Sequence, residues 1–150
     1  MTTMTKEELL HLAIKTAIKA HHKQKDRYGA PYINHVLRVS EYGKTMDEKI
    51  VGALHDVVED NPEFNLNTLS DLGFSEEIVF AVNCLTKDDP EVEYDVLIKK
   101  AEQSPLAIAV KINDLRDNMD LRRFPAPLTK NCIKRLTKYH SAYQYLTSTY

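Results

Sequence analysis

The sequence predicts an all-α protein, a compact single-domain bundle of about seven or eight helices. Apolar residues repeat at helical spacing through most of the 150 residues, and no run of the strict alternation typical of strands interrupts them. Only four glycines and six prolines occur, so few turns divide the chain. No internal repeat or linker is present, which predicts one domain over residues 1–150.

Capping and breaking residues place the helices in order. Thr5 and Glu8 have the spacing of a capping box, which begins a first helix that runs to about residue 21. Pro31 fits the first turn of a second helix, and Gly43 ends it after residue 42. The further predicted helices span residues 47–60, 67–72, 75–85, 92–102, 105–121 and 129–145.

Charge and composition exclude several classes of protein. The formal net charge is −2, which gives no broad positive surface for nucleic acid. The amino terminus has no apolar leader and no apolar run is long enough to span a bilayer, so we expect a cytoplasmic protein with neither a membrane nor a nucleic-acid partner. Cys84 and Cys132 lie in separate apolar stretches, which predicts two reduced core thiols.

The segment GALHDVVEDN carries the strongest chemical signal. It places four ionisable side chains inside an apolar predicted helix: His55, Asp56, Glu59 and Asp60. Members four residues apart share a helix face, and such groups are costly near a core unless they are paired or bound to metal. The plainer interpretation is a solvated helix end with a core histidine, but the four groups together favour a divalent-cation site.

The segment VKINDLRDN provides a second candidate group. Asp114 and Asn118 are four residues apart on one face of the predicted seventh helix, and Lys111 comes three residues before Asp114. Asp114 lies between Ile112 and Leu115, so we expect it at an apolar surface. The alternative interpretation is an ordinary charged helix in which Lys111 forms a surface ion pair.

The segment PYINH adds a second imidazole, that of His35, one turn into the second helix. Taken alone, His35 could equally be an ordinary core histidine or a surface histidine. Taken together, the candidate ligands mix nitrogen and oxygen donors: His35, His55, Asp56 and Asp114. Such a set suits Mn²⁺, Fe²⁺ or Zn²⁺ better than Ca²⁺, and it leaves coordination positions open for water and substrate.

The three segments in this order resemble the HD superfamily of metal-dependent phosphohydrolases, named for its His-Asp pair. Within it, the chain is most similar to the hydrolase domain of RelA/SpoT-type alarmone enzymes and to stand-alone small alarmone hydrolases. The matching stretches, AIKAHHKQKDRYGAPYINHVLRV, GALHDVVED and VKINDLRDNMDL, fall between residues 9 and 121. The resemblance therefore implies an HD-type helical bundle.

The resemblance also implies a chemistry for the matching positions. The four candidate ligands would hold one Mn²⁺, and Glu59 and Asp60 would orient and deprotonate the attacking water. Asn118 would contact the ribose or phosphate region, and loop 23–28 would border the nucleotide. The implied reaction removes the 3′-pyrophosphate of ppGpp or pppGpp, giving GDP or GTP and pyrophosphate. Lys25, Arg27 and Lys111 are then candidates for binding the remaining phosphates.

One departure from the family pattern keeps other functions open. Asp26 stands where relatives usually have a basic residue that packs against the base. A second hypothesis is therefore an HD phosphohydrolase for another small phosphorylated nucleotide, such as an adenine alarmone, a nucleoside monophosphate or a cyclic dinucleotide. A third is a binding protein or antitoxin for a toxic nucleotide synthetase. The tyrosine-rich last helix leaves a homodimer open, although a core role for it is the simpler interpretation.

Overall fold

All the regular elements of the described residues are helices, which confirms the all-α prediction. The structure is a computed structural model that describes residues 3–59 and 61–150. Its eight α-helices are α1 (Lys6–Ala20), α2 (Tyr32–Tyr42), α3 (Met46–Leu54), α4 (Leu66–Leu72), α5 (Glu76–Cys84), α6 (Tyr94–Ala101), α7 (Pro105–Asn118) and α8 (Lys130–Thr149). A short 3₁₀ helix, Leu121–Arg123, follows α7.

Polar side chains begin most of these helices where the sequence placed them. Thr5 accepts a hydrogen bond from the Glu8 amide, and the Glu8 side chain accepts one from the Thr5 amide, so the predicted capping box of α1 is present. Ser104 caps α7, whose first residue is Pro105. Gly73 ends α4 in the left-handed conformation (φ 111°), which favours glycine.

Helix α3 is the centre of the fold. It packs against α1, α2, α5 and α7, and residues 50–54 are all buried. A helix that is buried on every side needs apolar residues all round, which the sequence IVGAL supplies. Gly52 brings α3 close to α2, because a Cβ at this position would lie 2.9 Å from Ser40 Cα. The fold therefore places the residues that follow α3 deep inside the molecule.

The predicted helix over residues 47–60 is wrong at its carboxyl end. Helix α3 ends at Leu54, and His55 and the four residues after it form turns in the described part of the chain. The His55 ring donates from Nδ1 to the Gly52 carbonyl, and the Val57 amide donates to the Leu54 carbonyl only three residues back. The tighter turn ends the α-helical hydrogen-bonding pattern, so His55 and Glu59 do not share a face of a regular helix.

Helix α8 packs on α7 and closes a second, smaller apolar cluster. Leu146 of α8 and Leu115 of α7 are fully buried in it, and Tyr139 and Tyr143 pack against it. The expectation that this helix belongs to the core holds for these residues, while Tyr145 is 47% exposed. The helix also extends four residues beyond the predicted end, and the hydroxyl of Tyr145 donates to Glu102 at the end of α6.

The cysteines and the lengths of the apolar helices were also predicted from the sequence. Cys84 and Cys132 are buried free thiols, as predicted. In the part of the chain that the structure describes, no helix combines the length and apolar character needed to cross a bilayer.

The approach of α3 to α2 predicts that Gly52→Ala destabilises the protein. The added methyl group meets backbone atoms of Val39 and Ser40, which cannot rotate away. Overpacking of this kind costs about 1–3 kcal/mol, which exceeds the roughly 1 kcal/mol that alanine gains over glycine in helix propensity. Urea unfolding is expected to show a lower midpoint. The exposed substitution Gln144→Ala on α8 is the control, and an equal or higher midpoint for Gly52→Ala would contradict this packing.

Candidate metal centre

Three buried side chains from three helices converge on one point. His35 comes from α2, His55 from the end of α3, and Asp114 from α7, and each offers a ligand atom within 4.8 Å of the other two. The Nε2 atoms of His35 and His55 lie 3.0 Å and 3.5 Å from Asp114 Oδ1. The contacts among α2, α3 and α7 thus assemble residues that are up to 79 positions apart in sequence.

Both imidazoles are oriented as metal-binding histidines are. His35 Nδ1 donates to Asp117 Oδ2 at 2.6 Å, and His55 Nδ1 donates to the Gly52 carbonyl at 2.6 Å. These bonds direct each Nε2 toward Asp114. A ring whose outer nitrogen is held by an oxygen acceptor is the usual arrangement around a bound metal. His55 Nε2 is also buried without a well-aligned hydrogen bond among the described residues, so a cation would supply the partner that it lacks.

Asp56 completes the predicted ligand set. Its Oδ2 atom lies 3.0 Å from His55 Nε2, and it also accepts a short hydrogen bond from the Tyr32 hydroxyl. Tyr32 begins α2, one turn before His35, so the PYINH segment provides both a candidate ligand and a partner for a second one. Asp56 is therefore in contact with the cluster through His55, although it is not within 4.8 Å of all three members. With it, two nitrogen and two oxygen donors are available, a set that suits a transition-metal dication.

Asp117, a buried carboxylate that the sequence analysis did not single out, supports this group. Asp117 has no exposed area. It accepts hydrogen bonds from His35, from Arg38 of α2 at 2.7 Å, and from Arg123 at 3.0 Å. A signal was available, because Asp117 lies seven residues after the buried Val110 and therefore on the inner face of α7.

The electrostatics of the group favour bound positive charge. Burial alone would lower the pKa of His35, but hydrogen bonds to Asp114 and Asp117 outweigh it and raise that pKa. Burial likewise opposes ionisation of Asp117, but hydrogen bonds from His35 and Arg38 lower its pKa to about 2. The carboxylates thus stay ionised and attract protons onto the imidazoles. A divalent cation would occupy the same position, in competition with those protons.

Lys111 lies inside this group rather than on the surface. Its Nζ atom donates to Asp114 Oδ2 at 2.9 Å and lies 5.6 Å from the ring centre of Tyr94. Burial disfavours its charge, yet the attraction of Asp114 raises the pKa of Lys111 above its ordinary value. Lys111 is therefore a fixed cation beside the candidate metal, with one carboxylate oxygen as its partner.

The structure describes only one of the two predicted catalytic carboxylates, Glu59. Glu59 is half-buried and lines, with His55, Asp56 and Asp114, a small cavity of about 50 Å³. It therefore lies beside three of the four candidate ligands. Asp60 lies outside the described residues.

A larger pocket, here called the central pocket, opens next to this group. Its volume is about 280 Å³. Tyr32 and Asn118 contribute to its inner wall and donate to Asp56 and Asp114 respectively. Lys25 and Arg27, which the resemblance suggested as phosphate-binding residues, also line this pocket. Four more residues that were not predicted to lie here also line it: Arg123, Phe124, Arg135 and Tyr139.

Asp26 also lines the central pocket, but its carboxylate is bonded within its own loop. Its Oδ1 atom accepts hydrogen bonds from the amides of Tyr28 and Ala30, and its Oδ2 atom lies 3.5 Å from Arg123. These bonds close the loop between α1 and α2, which an isolated bridge between Lys25 and Pro31 also holds. The acidic residue at this position is thus explained by the turn that it stabilises.

Comparison with known proteins gives one significant similarity. The chain is 30% identical over 131 residues to a protein of Mycobacterium leprae (strain TN) named "Probable GTP pyrophosphokinase". The matched region covers 79% of this chain but only 16% of that protein, so the chain spans about a sixth of the relative's length. The sequence matches no protein-family model.

The geometry of the ligands predicts a graded loss of metal on substitution. Asp114→Asn should abolish Mn²⁺ binding, because Asp114 is the oxygen donor that lies near both imidazoles. Asp117→Asn should weaken binding by about 10- to 100-fold, as expected for a residue that orients a ligand without touching the metal. Isothermal titration at pH 7 measures both effects.

The control for this series is Asp71→Asn, an exposed substitution on α4. It should bind Mn²⁺ like the unmodified protein. Circular dichroism establishes that each variant is folded. Full metal stoichiometry in folded Asp114→Asn would exclude Asp114 as a ligand.

The loop geometry predicts that Asp26 contributes to stability in a pH-dependent way. Burial opposes its ionisation, but the amides of Tyr28 and Ala30 and the guanidinium of Arg123 lower its pKa below 3.8. Its contribution is therefore present above about pH 4 and is lost as the pH falls through the lowered pKa. Asp26→Ala should lower the free energy of unfolding at pH 7 by about 1–3 kcal/mol.

Asp26→Asn is the matched variant, since its amide oxygen can still accept both backbone bonds. It should retain part of the stability and lose the pH dependence. Urea unfolding at pH 7 and pH 3 tests this. If Asp26→Asn and the unmodified protein lost equal stability on acidification, Asp26 would not be the titrating group.

Proposed function

We propose that this protein is a metal-dependent phosphohydrolase that removes the 3′-pyrophosphate from guanosine alarmones. ppGpp would give GDP and pyrophosphate, and pppGpp would give GTP and pyrophosphate. The observation that carries the proposal is the buried cluster of His35, His55 and Asp114, which opens toward a pocket rich in cationic and aromatic side chains. The cation would be Mn²⁺, with Fe²⁺ or Zn²⁺ as alternatives that the same donor set accepts.

The donor set would hold the metal, and the proton transfers would be carried out by the protein's own carboxylates. A divalent cation held by His35, His55, Asp56 and Asp114 would acidify water and offset charge on phosphoryl oxygens. Glu59 lines the same cavity as three of these residues and is suited to orient the water and accept its proton. Asp60, adjacent in sequence, is proposed to assist and to return a proton to the leaving oxygen of the ribose.

The central pocket is proposed to bind the nucleoside and its charges. Arg27, Arg123 and Arg135 provide cations for phosphate groups. Tyr28 and Phe124, whose ring centres are 5.2 Å apart, and Tyr139 provide aromatic surface for a base. Asn118 donates to Asp114 and also lines this pocket, so it lies between the proposed metal and the proposed ligand. The name of the relative, which joins GTP with pyrophosphate, agrees with this substrate class.

The test is release of pyrophosphate from ppGpp by the purified protein with Mn²⁺. Loss of turnover with chelator and its return with added Mn²⁺ would support the proposal. A panel of ppApp, GTP and nucleoside monophosphates determines the base and phosphate specificity, because an acidic residue, Asp26, lines the pocket proposed to hold the base. Metal-loaded protein that hydrolyses none of these nucleotides would instead favour a binding role, such as that of an antitoxin.

The position of Glu59 predicts that Glu59→Gln separates metal binding from catalysis. The substitution keeps the size of the side chain but removes the proton acceptor. Turnover of ppGpp should fall by about 10²- to 10⁴-fold, while Mn²⁺ binding by titration stays unchanged. Glu63→Gln, an exposed change nearby, should leave both unaffected. Undiminished turnover in Glu59→Gln would remove Glu59 from the mechanism.

A further inference from the structure

A second groove extends from the central pocket along the outside of α8. It has a volume of about 370 Å³ and is lined by Arg27, Asn131, Lys134, Arg135 and Lys138. We call it the basic groove. Four of its five lining residues are cations and none is acidic. The lining residues of α8 are three or four positions apart, so they form one face of the helix.

The sequence concentrates positive charge in this region although the whole chain is acidic. Residues 121–150 contain six lysines and arginines and no aspartate or glutamate, whereas the net charge of the chain is −2. Helix α8 therefore has no acidic residue of its own with which to neutralise the groove. This separation of charge lies beyond what the fold requires, because the buried residues of α8 are the uncharged Cys132, Ala142 and Leu146.

The cations of the groove are not neutralised by neighbouring helices either. Within the described residues, Arg27, Lys134 and Lys138 form no ion pair with a carboxylate, whereas Arg38, Lys111 and Arg123 do. Partial desolvation lowers the pKa of Lys138, and repulsion from Lys87 and Arg27 lowers it further. Like charges held together in this way raise the free energy of the empty groove, which a bound anion relieves.

Shared residues connect the basic groove to the candidate metal centre. Arg27 and Arg135 line both the groove and the central pocket. At the other end of that pocket, Tyr32 and Asn118 donate to candidate metal ligands. The order is therefore metal centre, central pocket and basic groove. A ligand that fills all three positions carries anionic groups at both ends.

We propose that the basic groove binds the 5′-phosphate chain of the nucleotide and that Lys134 and Lys138 select for its length. This inference rests on the proposed function and extends it to the end of the substrate that does not react. It assigns to the enzyme a nucleotide with phosphate chains on both the 3′ and the 5′ positions. A nucleoside monophosphate would leave the groove empty.

The test compares three nucleotides that share a 3′-diphosphate and carry one, two or three 5′-phosphates. In the unmodified protein, KM should fall as 5′-phosphates are added. Lys134→Gln with Lys138→Gln should raise KM for the triphosphate about tenfold, since two charge-assisted contacts are lost. The kcat values and the KM of the 5′-monophosphate should stay unchanged. Lys15→Gln with Lys19→Gln on α1 removes the same charge elsewhere and is the matched control.

A second measurement does not depend on turnover. Inorganic tripolyphosphate is titrated into the metal-free protein, and its binding should weaken about tenfold in the Lys134/Lys138 variant and hardly at all in the control. If the protein hydrolyses none of the nucleotides but tripolyphosphate binding requires both lysines, the groove stands as an anion site and the proposed reaction fails.

Two results would overturn the groove proposal while leaving the proposed function intact. In the first, the protein hydrolyses all three nucleotides, but the double substitution changes their three KM values by the same factor or leaves them unchanged. In the second, a single-stranded RNA oligonucleotide binds more tightly than tripolyphosphate does, and its binding requires the same two lysines. The groove would then be a nucleic-acid surface rather than a subsite for the substrate.

Discussion

The hydrogen bond between His35 and Asp117 is the interaction on which the rest of the site depends. It joins α2 to α7 across 82 residues of sequence and lies in the buried interior. Asp117 is stable as a carboxylate there because Arg38 and Arg123 also donate to it. A buried carboxylate with three positively charged or polar donors is costly to disrupt, since removing one partner leaves charge unbalanced in a medium of low polarity. The ring of His35 is held in one orientation as a result.

The same logic explains why so many ionisable groups can be buried together. Each carboxylate near the centre has at least one cationic or imidazole partner: Asp56 has His55, Asp114 has His35 and Lys111, and Asp117 has the two arginines. The surrounding apolar residues strengthen these attractions by excluding water. The unusual member is His55, whose Nε2 atom lies near two carboxylates without an aligned hydrogen bond. The cluster of His35, His55 and Asp114 could therefore hold a cation at its centre.

Sequence reasoning succeeded where one local pattern decides the structure. The helical class and the capping box at Thr5 follow from spacing, and residue type singled out His35, His55 and Asp114, which the structure brings into one cluster. It failed where a tertiary contact competes with a local preference. The segment after Leu54 has helical spacing, but the His55 side chain bonds to the Gly52 carbonyl and the chain turns early. Asp117 resembles a surface residue in sequence, and only the approach of Arg38 and His35 from α2 makes its burial favourable. Asp26 was compared with a family position, whereas its role is set by the amides of its own loop.

The charge separation along the chain affects how an anion reaches the protein. The last thirty residues are purely cationic in a chain of net charge −2, so the rest of the surface carries an excess of negative charge. A polyanion diffusing toward the molecule is repelled from most directions and drawn to the side that carries α8. Such a field increases the frequency of productive encounters and orients the ligand before contact, and dissolved salt weakens it over a Debye length of about 8–10 Å. The arrangement would let a small protein with one deep and narrow site capture a scarce, highly charged molecule at a rate that depends on ionic strength.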